Sequence, residues 1–235
     1  MKNEVLCKSC NAPNPAYRLN CSSCGSYLRD RAVNIDLWKT LALLLYSPSE
    51  GFKTIRNSEH KNFIVFLFVL IAMKLLQGSM FISLFHLPDP YLTKNLIRNY
   101  LIAGGLFFSI AVLFSFLLKV IAGWAKTSLR FWDNFAVFIY AFFPYGAAFV
   151  ILFPLEYVIF AEYLFSINPS WFALNAPLAY MFSFLEGISV LWGYLLMYFA
   201  LKTQTNSKVF SMCFSLVFIF ITYLAYFVLS KYLFM

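Results

Sequence analysis

Five stretches of this chain, at roughly 63–86, 99–123, 134–160, 173–201 and 209–233, are apolar almost without a break. A helix rises about 1.5 Å per residue and bilayer hydrocarbon is about 30 Å thick, so about 20 such residues cross it. In lipid, only a helix satisfies its own backbone polar groups without a partner strand. The stretches do not alternate between apolar and polar residues, which argues against a transmembrane barrel. Of the 235 residues 62% are hydrophobic and 12% charged, against about half and a quarter in soluble domains. No soluble core of this length could hide so much apolar surface. The expected fold is an all-α integral membrane protein, a five-transmembrane-helix bundle whose first partner is the lipid bilayer.

The polar remainder lies mostly before residue 63, and four of the five cysteines fall there. They form two Cys-x-x-Cys pairs, Cys7/Cys10 and Cys21/Cys24. Each pair turns two thiolates toward one point, and the ten residues between the pairs suffice for a short hairpin that closes a tetrahedral site. Gly25 supplies a flexible residue just after the second pair. Residues 1–28 are therefore expected to form a small zinc ribbon of short β-hairpins. Structural Zn2+ held by Cys7, Cys10, Cys21 and Cys24 would supply its folding free energy. The first apolar run begins too far in for a signal peptide, so these thiols are expected to stay in a reducing compartment, where metal is favoured over disulfide. Cys213, alone in the last span, is expected to be a buried small hydrophobe.

Residues 29–62 read as a linker and an interfacial amphipathic helix. Leu37 to Tyr46 carries Trp38, Leu41, Leu44 and Leu45 at helical spacing; Ser47-Pro48 then breaks and restarts the helix. Lys39, Lys53, Arg56 and Lys61 are expected to face lipid headgroups. Residues 63–235 form the membrane domain. Counting basic residues puts Lys2 and the other cations before residue 62 on one side, with Lys126, Arg130, Lys202 and Lys208. Only Lys94, Arg98 and Lys231 fall on the other side, and Glu156 and Glu162 fall in the connection between the third and fourth spans. This bias predicts a cytoplasmic N-terminus and an outside C-terminus, in a multi-pass protein of the plasma membrane if the source is prokaryotic. It also accounts for the net charge of +8, so no nucleic-acid partner is expected. Trp124, Trp132 and Trp171 fall near span ends, as interfacial anchors do.

Two ionisable residues lie deep in spans, Lys74 in the first and Glu186 in the fourth. A charge at mid-bilayer costs at least about 2.5 kcal/mol, so such groups face a partner or a polar cavity. Their similar depth permits a Lys74–Glu186 pair, which would either fix the fold or form part of a proton or substrate path. Pro144, Gly146 and Pro154 mark breaks or kinks in the third span. No HExxH, GxSxG or P-loop occurs, the two histidines (His60 and His86) fall on opposite predicted sides, and no Asp lies well inside a span. An enzyme is therefore not expected.

Three segments carry a family likeness: Ser47-Pro48 to Arg56 ahead of the first span, Phe135 to Pro144-Tyr145, and Leu191-Trp192 through Lys202 to Lys208. In these, and in its five-span layout over about residues 37–233, the chain resembles the Yip family of Ypt/Rab-interacting membrane proteins. The closer likeness is to its prokaryotic branch, with an added zinc ribbon. The resemblance implies a cytoplasmic N-terminus and a part in membrane organisation or trafficking. No Asp-Leu-x-Gly-Pro segment precedes the first span, so binding of a Rab-type GTPase is not implied. The expected function is a non-enzymatic scaffold or adaptor whose ribbon takes a cytoplasmic protein partner. The alternative is a transporter or channel using Lys74 and Glu186. Assembly into a homo-oligomer is left open.

Overall fold

A computed structural model describes residues 4–85 and 95–234; Lys2, His86 and Lys94 lie outside the described residues. The fold is all-α with a small N-terminal β-hairpin and cysteine cluster in a zinc-ribbon-like arrangement. Strands β1 (Glu4–Leu6) and β2 (Pro13–Pro15) pair antiparallel with Val5 opposite Asn14. Two short helices follow, α1 (Leu37–Tyr46) and α2 (Pro48–Asn57). Asp36 caps α1, its carboxylate accepting the Lys39 N–H, and Pro48 opens α2 without wasting a donor.

Among the described residues, five helices are long and apolar enough to cross a membrane. They are α3 (Ile64–Ser83), α4 (Leu96–Trp124), the pair α5 (Phe131–Ala141) and α6 (Phe143–Phe160), then α8 (Ala176–Thr205) and α9 (Lys208–Leu233). The third span is broken at Phe142, and Pro144 stands in the first turn of α6. Proline has no N–H to give to the preceding turn, so the helix ends and restarts there. A 3-10 turn (Ala161–Phe165) and the short α7 (Trp171–Leu174) lead to α8.

The chain forms two compact units. One comprises Met1–Val65, Ala111–Ala141 and Leu195–Val217; the other comprises Phe66–Ile110, Phe142–Tyr194 and Phe218–Met235. In the first, Phe114 and Phe138 both pack on Phe214, and Leu44, Phe52 and Ile55 close the α1–α2 hairpin. Gly51 lets these helices approach: a Cβ there would lie 2.9 Å from the Leu44 side chain and 3.2 Å from its backbone nitrogen. In the second unit, Phe142 packs between Phe107 and Phe218, and a separate aromatic cluster joins Phe160, Phe182, Phe81 and Trp171. The outward faces of the long helices stay apolar, as at Ile97, Val158 and Phe220. That is the surface lipid covers.

Several side chains differ from expectation. Arg56 and Lys61 do not face headgroups. Arg56 is buried and donates to the Thr203 carbonyl in the last turn of α8. Lys61 gives its ammonium to the Ile55, Arg56 and Ser58 carbonyls at the end of α2 and pairs with Asp133 at the start of α5. Both cations meet the carbonyl-rich ends of helices, where positive charge is favoured. Lys39 and Lys53 do remain exposed. Cys213 is exposed on the apolar surface of α9, so it is not a core residue. Trp124 and Trp132 stay exposed, whereas Trp171 is drawn into the aromatic cluster. Glu156 lies within α6 and is buried, so it does not belong to the connection that follows.

Candidate metal centre and intramembrane polar site

The two cysteine pairs fold as near-copies of one another. In the first, the Cys7 N–H donates to the Ala12 carbonyl (3.0 Å), the Asn11 N–H to the Cys7 carbonyl (2.9 Å) and the Ser9 N–H to the Cys7 Sγ (3.4 Å). In the second, the Cys21 N–H donates to the Ser26 carbonyl (2.9 Å), the Gly25 N–H to the Cys21 carbonyl (3.1 Å) and the Ser23 N–H to the Cys21 Sγ (3.4 Å). Both turns end on a left-handed residue, Asn11 (φ 55°) and Gly25 (φ 75°). Glycine reaches that conformation freely, and asparagine is among the few other residues that tolerate it. Asn11 was not singled out from the sequence; its place one residue after the first pair, matching Gly25 after the second, was the available signal.

The four sulfurs lie within 4.8 Å of one another, with Cys7–Cys24 and Cys10–Cys21 each at 3.6 Å. Metal–sulfur bonds of about 2.3 Å in a tetrahedron put sulfurs about 3.8 Å apart, so the cluster fits four-thiolate coordination. The surroundings favour thiolates. A bond from Ser26, then the Cys10 and Ser9 amides, hold Cys7 down to about 5; the Cys24 and Ser23 amides, helped by Asn14, hold Cys21 at about 7. At Cys10 the Ala12 amide also favours the thiolate, but the neighbouring thiols and burial outweigh it and push this cysteine up to about 12. Four sulfurs this close cannot all carry charge without a cation among them. Asn14, fully buried, ties the hairpin to the second turn: it donates to Cys21 Sγ (3.4 Å) and accepts from the Ser22 N–H (2.9 Å).

The ribbon is not a free head. Within its unit, the Arg130 guanidinium stacks 4.2 Å from the Tyr17 ring, and Arg29 donates to the Tyr17 carbonyl (3.1 Å). Arg31 and Glu59 form a two-point pair at 2.8 and 3.2 Å.

The second site lies in the other unit, inside the spans. The Lys74 ammonium on α3 donates to Glu186 on α8 and to Gln77 Oε1 (3.0 Å). Gln77 Nε2 in turn donates to Glu156 Oε2 on α6 (3.2 Å). The structure thus brings Lys74 and Glu186 together and adds Gln77 and Glu156, which the sequence reading did not place there. Lys74 and Gln77, one helical turn apart, share a face of α3, and that spacing was the signal available for Gln77. These four residues, with Gly78, Phe81, Trp171 and Ser183, line a cavity of about 270 Å³. The Tyr145 and Tyr223 hydroxyls bond to each other within electrostatic reach of Glu186. The chain is therefore a multi-span membrane protein with buried charged residues joined across its helices. Comparison with protein-family models, with curated proteins and with solved structures finds no match.

Proposed function

We propose that this chain is a non-enzymatic transporter or channel that moves a cationic species, the proton being the smallest, through the Lys74–Glu186 and Gln77–Glu156 cluster. One observation carries the reading. A hydrogen-bonded run of two acids, one base and one amide lines a cavity among helices whose outer faces are hydrocarbon-like. Polar groups in that setting are costly and mark ion or substrate paths. With one ammonium and two carboxylates, the cluster is one positive charge short of neutrality, and a proton or another monovalent cation supplies it.

In this reading residues 1–28 form a ribbon with one structural Zn2+ on Cys7, Cys10, Cys21 and Cys24, closed to water because all four positions are thiolate. Residues 29–62 link it to the membrane domain at 63–235. The basic bias puts the N-terminus in the cytoplasm and the C-terminus outside. The test is proton flux into proteoliposomes under an imposed membrane potential, read with a trapped pH-sensitive dye. The full chain should carry flux, and Glu186→Gln should lose it. A charge-swapped Lys74→Glu/Glu186→Lys chain should fold better than either single swap. Equal flux from wild type and Glu186→Gln would end the proposal.

An adaptor role within a Yip-like layout is the second reading. It is favoured by Leu6 and Tyr27, large hydrophobic residues left exposed on the ribbon and suited to a cytoplasmic protein partner. An adaptor loses partner capture on deletion of residues 1–28 and tolerates Glu186→Gln; a transporter does the reverse.

A further inference from the structure

The charges of the polar cluster are not shared evenly. Lys74 is committed to Glu186. Glu156, 1% exposed, is held by the neutral amide of Gln77 and takes part in none of the ion pairs found among the described residues. Glu186 and Lys74 both act on it through space, with opposite signs. The carboxylate with the least compensation is thus the most deeply buried one.

Gln77 also lines a second, larger hollow of about 400 Å³, which opens at Leu96 and Ile97 on the outward face of α4. Its other walls are apolar and include Met73 and Met80 from α3, Tyr100 from α4, and Phe149 and Phe153 from α6. Phe153 stands one turn before Glu156 on the same helix. An acid whose amide partner, Gln77, also lines an apolar, aromatic hollow suits a particular ligand chemistry. Aromatic faces attract cations, most strongly where water is excluded, and methionines adapt to varied shapes. A small metal cation would use the acid and waste the chamber; a neutral lipid chain would use the chamber and leave the acid unpaired.

Resting on the transport reading above, we propose that the substrate class is a hydrophobic organic cation, an aryl- or alkylammonium. Its positive charge meets Glu156, and its apolar body occupies the chamber of Met73, Met80, Phe149 and Phe153. Gln77 stands between the two parts of the ligand and orients the carboxylate.

The test is equilibrium dialysis of tritiated benzyltrimethylammonium against the full chain in lipid nanodiscs, with empty nanodiscs as the blank. Saturable binding at one site per chain is expected. Two competitors on the unaltered protein separate charge from shape. Neopentylbenzene, the uncharged isostere, and tetramethylammonium, the charge without the ring, should each compete at least tenfold more weakly. Glu156→Gln should weaken binding more than tenfold, and Phe153→Ala by a smaller factor. Equal competition by the neutral isostere, or no saturable binding, overturns the proposal without needing any variant to fold. Proton flux without binding of the ammonium leaves the transport reading standing and ends this one. Binding without uptake of the tritiated ammonium into proteoliposomes overturns its assignment as a substrate and ends the transport reading with it.

Discussion

Replacing Lys61 by Met removes the cation paired with a buried carboxylate, Asp133. The ammonium lies 3.1 Å from Asp133, and only 11% and 5% of the two side chains are exposed. At an effective dielectric constant of about 20, unit charges at that spacing attract by about 5 kcal/mol. Burial opposes this: it lowers the Lys61 pKa, and Asp133 only partly restores it. Breaking a buried pair by removing one partner typically costs about 3–5 kcal/mol. Asp133 Oδ2 has no hydrogen-bond partner, which pushes toward the upper end. Arg29 and Arg56 also lie within reach of Asp133, which pushes toward the lower. We expect about 3 kcal/mol for Lys61→Met. Asp133→Asn should cost less, about 1–2 kcal/mol, because the ammonium keeps its three carbonyl acceptors. The assay is equilibrium unfolding of the purified chain in mild detergent, titrated with a denaturing detergent, for both single variants and the double variant. A coupling energy near zero, or a larger loss from Asp133→Asn than from Lys61→Met, would refute the reasoning.

Three further outcomes follow from other sites. Chelation of metal from the full chain, or Cys10→Ser, should unfold residues 4–28 and release one metal ion per chain, read by elemental analysis and by proteolysis of the N-terminal segment, while the spans keep their helical circular dichroism. Gly193→Ala places a Cβ 2.6 Å from the Tyr145 ring and should destabilise by about 1–3 kcal/mol, whereas Gly187→Ala, with open space around it, should be near neutral; thermal denaturation in detergent compares them. The bond from Arg31 holds the Glu59 carboxyl below its ordinary 4.5, so the stability it contributes is fully present above that value and is lost as pH falls through the lower folded one. Glu59→Gln should therefore lose stability at neutral pH and differ less from wild type in acid, by unfolding at pH 7 and pH 3.

The spans and the cysteine centre could be read without coordinates because each is set by local sequence. About 20 apolar residues fill the hydrocarbon whatever their neighbours are, and the break at Phe142 follows from the missing amide of Pro144 two residues on. Two Cys-x-x-Cys turns converge because the spacing within each is short and ten residues suffice to bring them together; the hairpin itself does not lie between the pairs, since β1 and β2 flank Cys7 and Cys10. Arg56 and Lys61 misled because an exposed and a buried cation look alike in a sequence. The difference lies in whether the carbonyl ends of α2 and α8 come within reach, a matter of helix packing. Glu156 was misplaced because a carboxylate near the end of an apolar stretch marks an interface unless another helix brings it a donor, and Gln77 does so from 79 residues away.

From its sequence alone, then, the chain is committed to lipid for most of its length and to a four-sulfur centre at its head. Both commitments follow from composition and short-range spacing. Only tertiary structure decided which buried charges share a cavity, because the partner of a charge in a membrane is set by the rotation and packing of helices distant in sequence. Apolar composition leaves that rotation free: hydrocarbon meets every face of a uniformly apolar helix equally well, and the few polar side chains bias it only once they find one another.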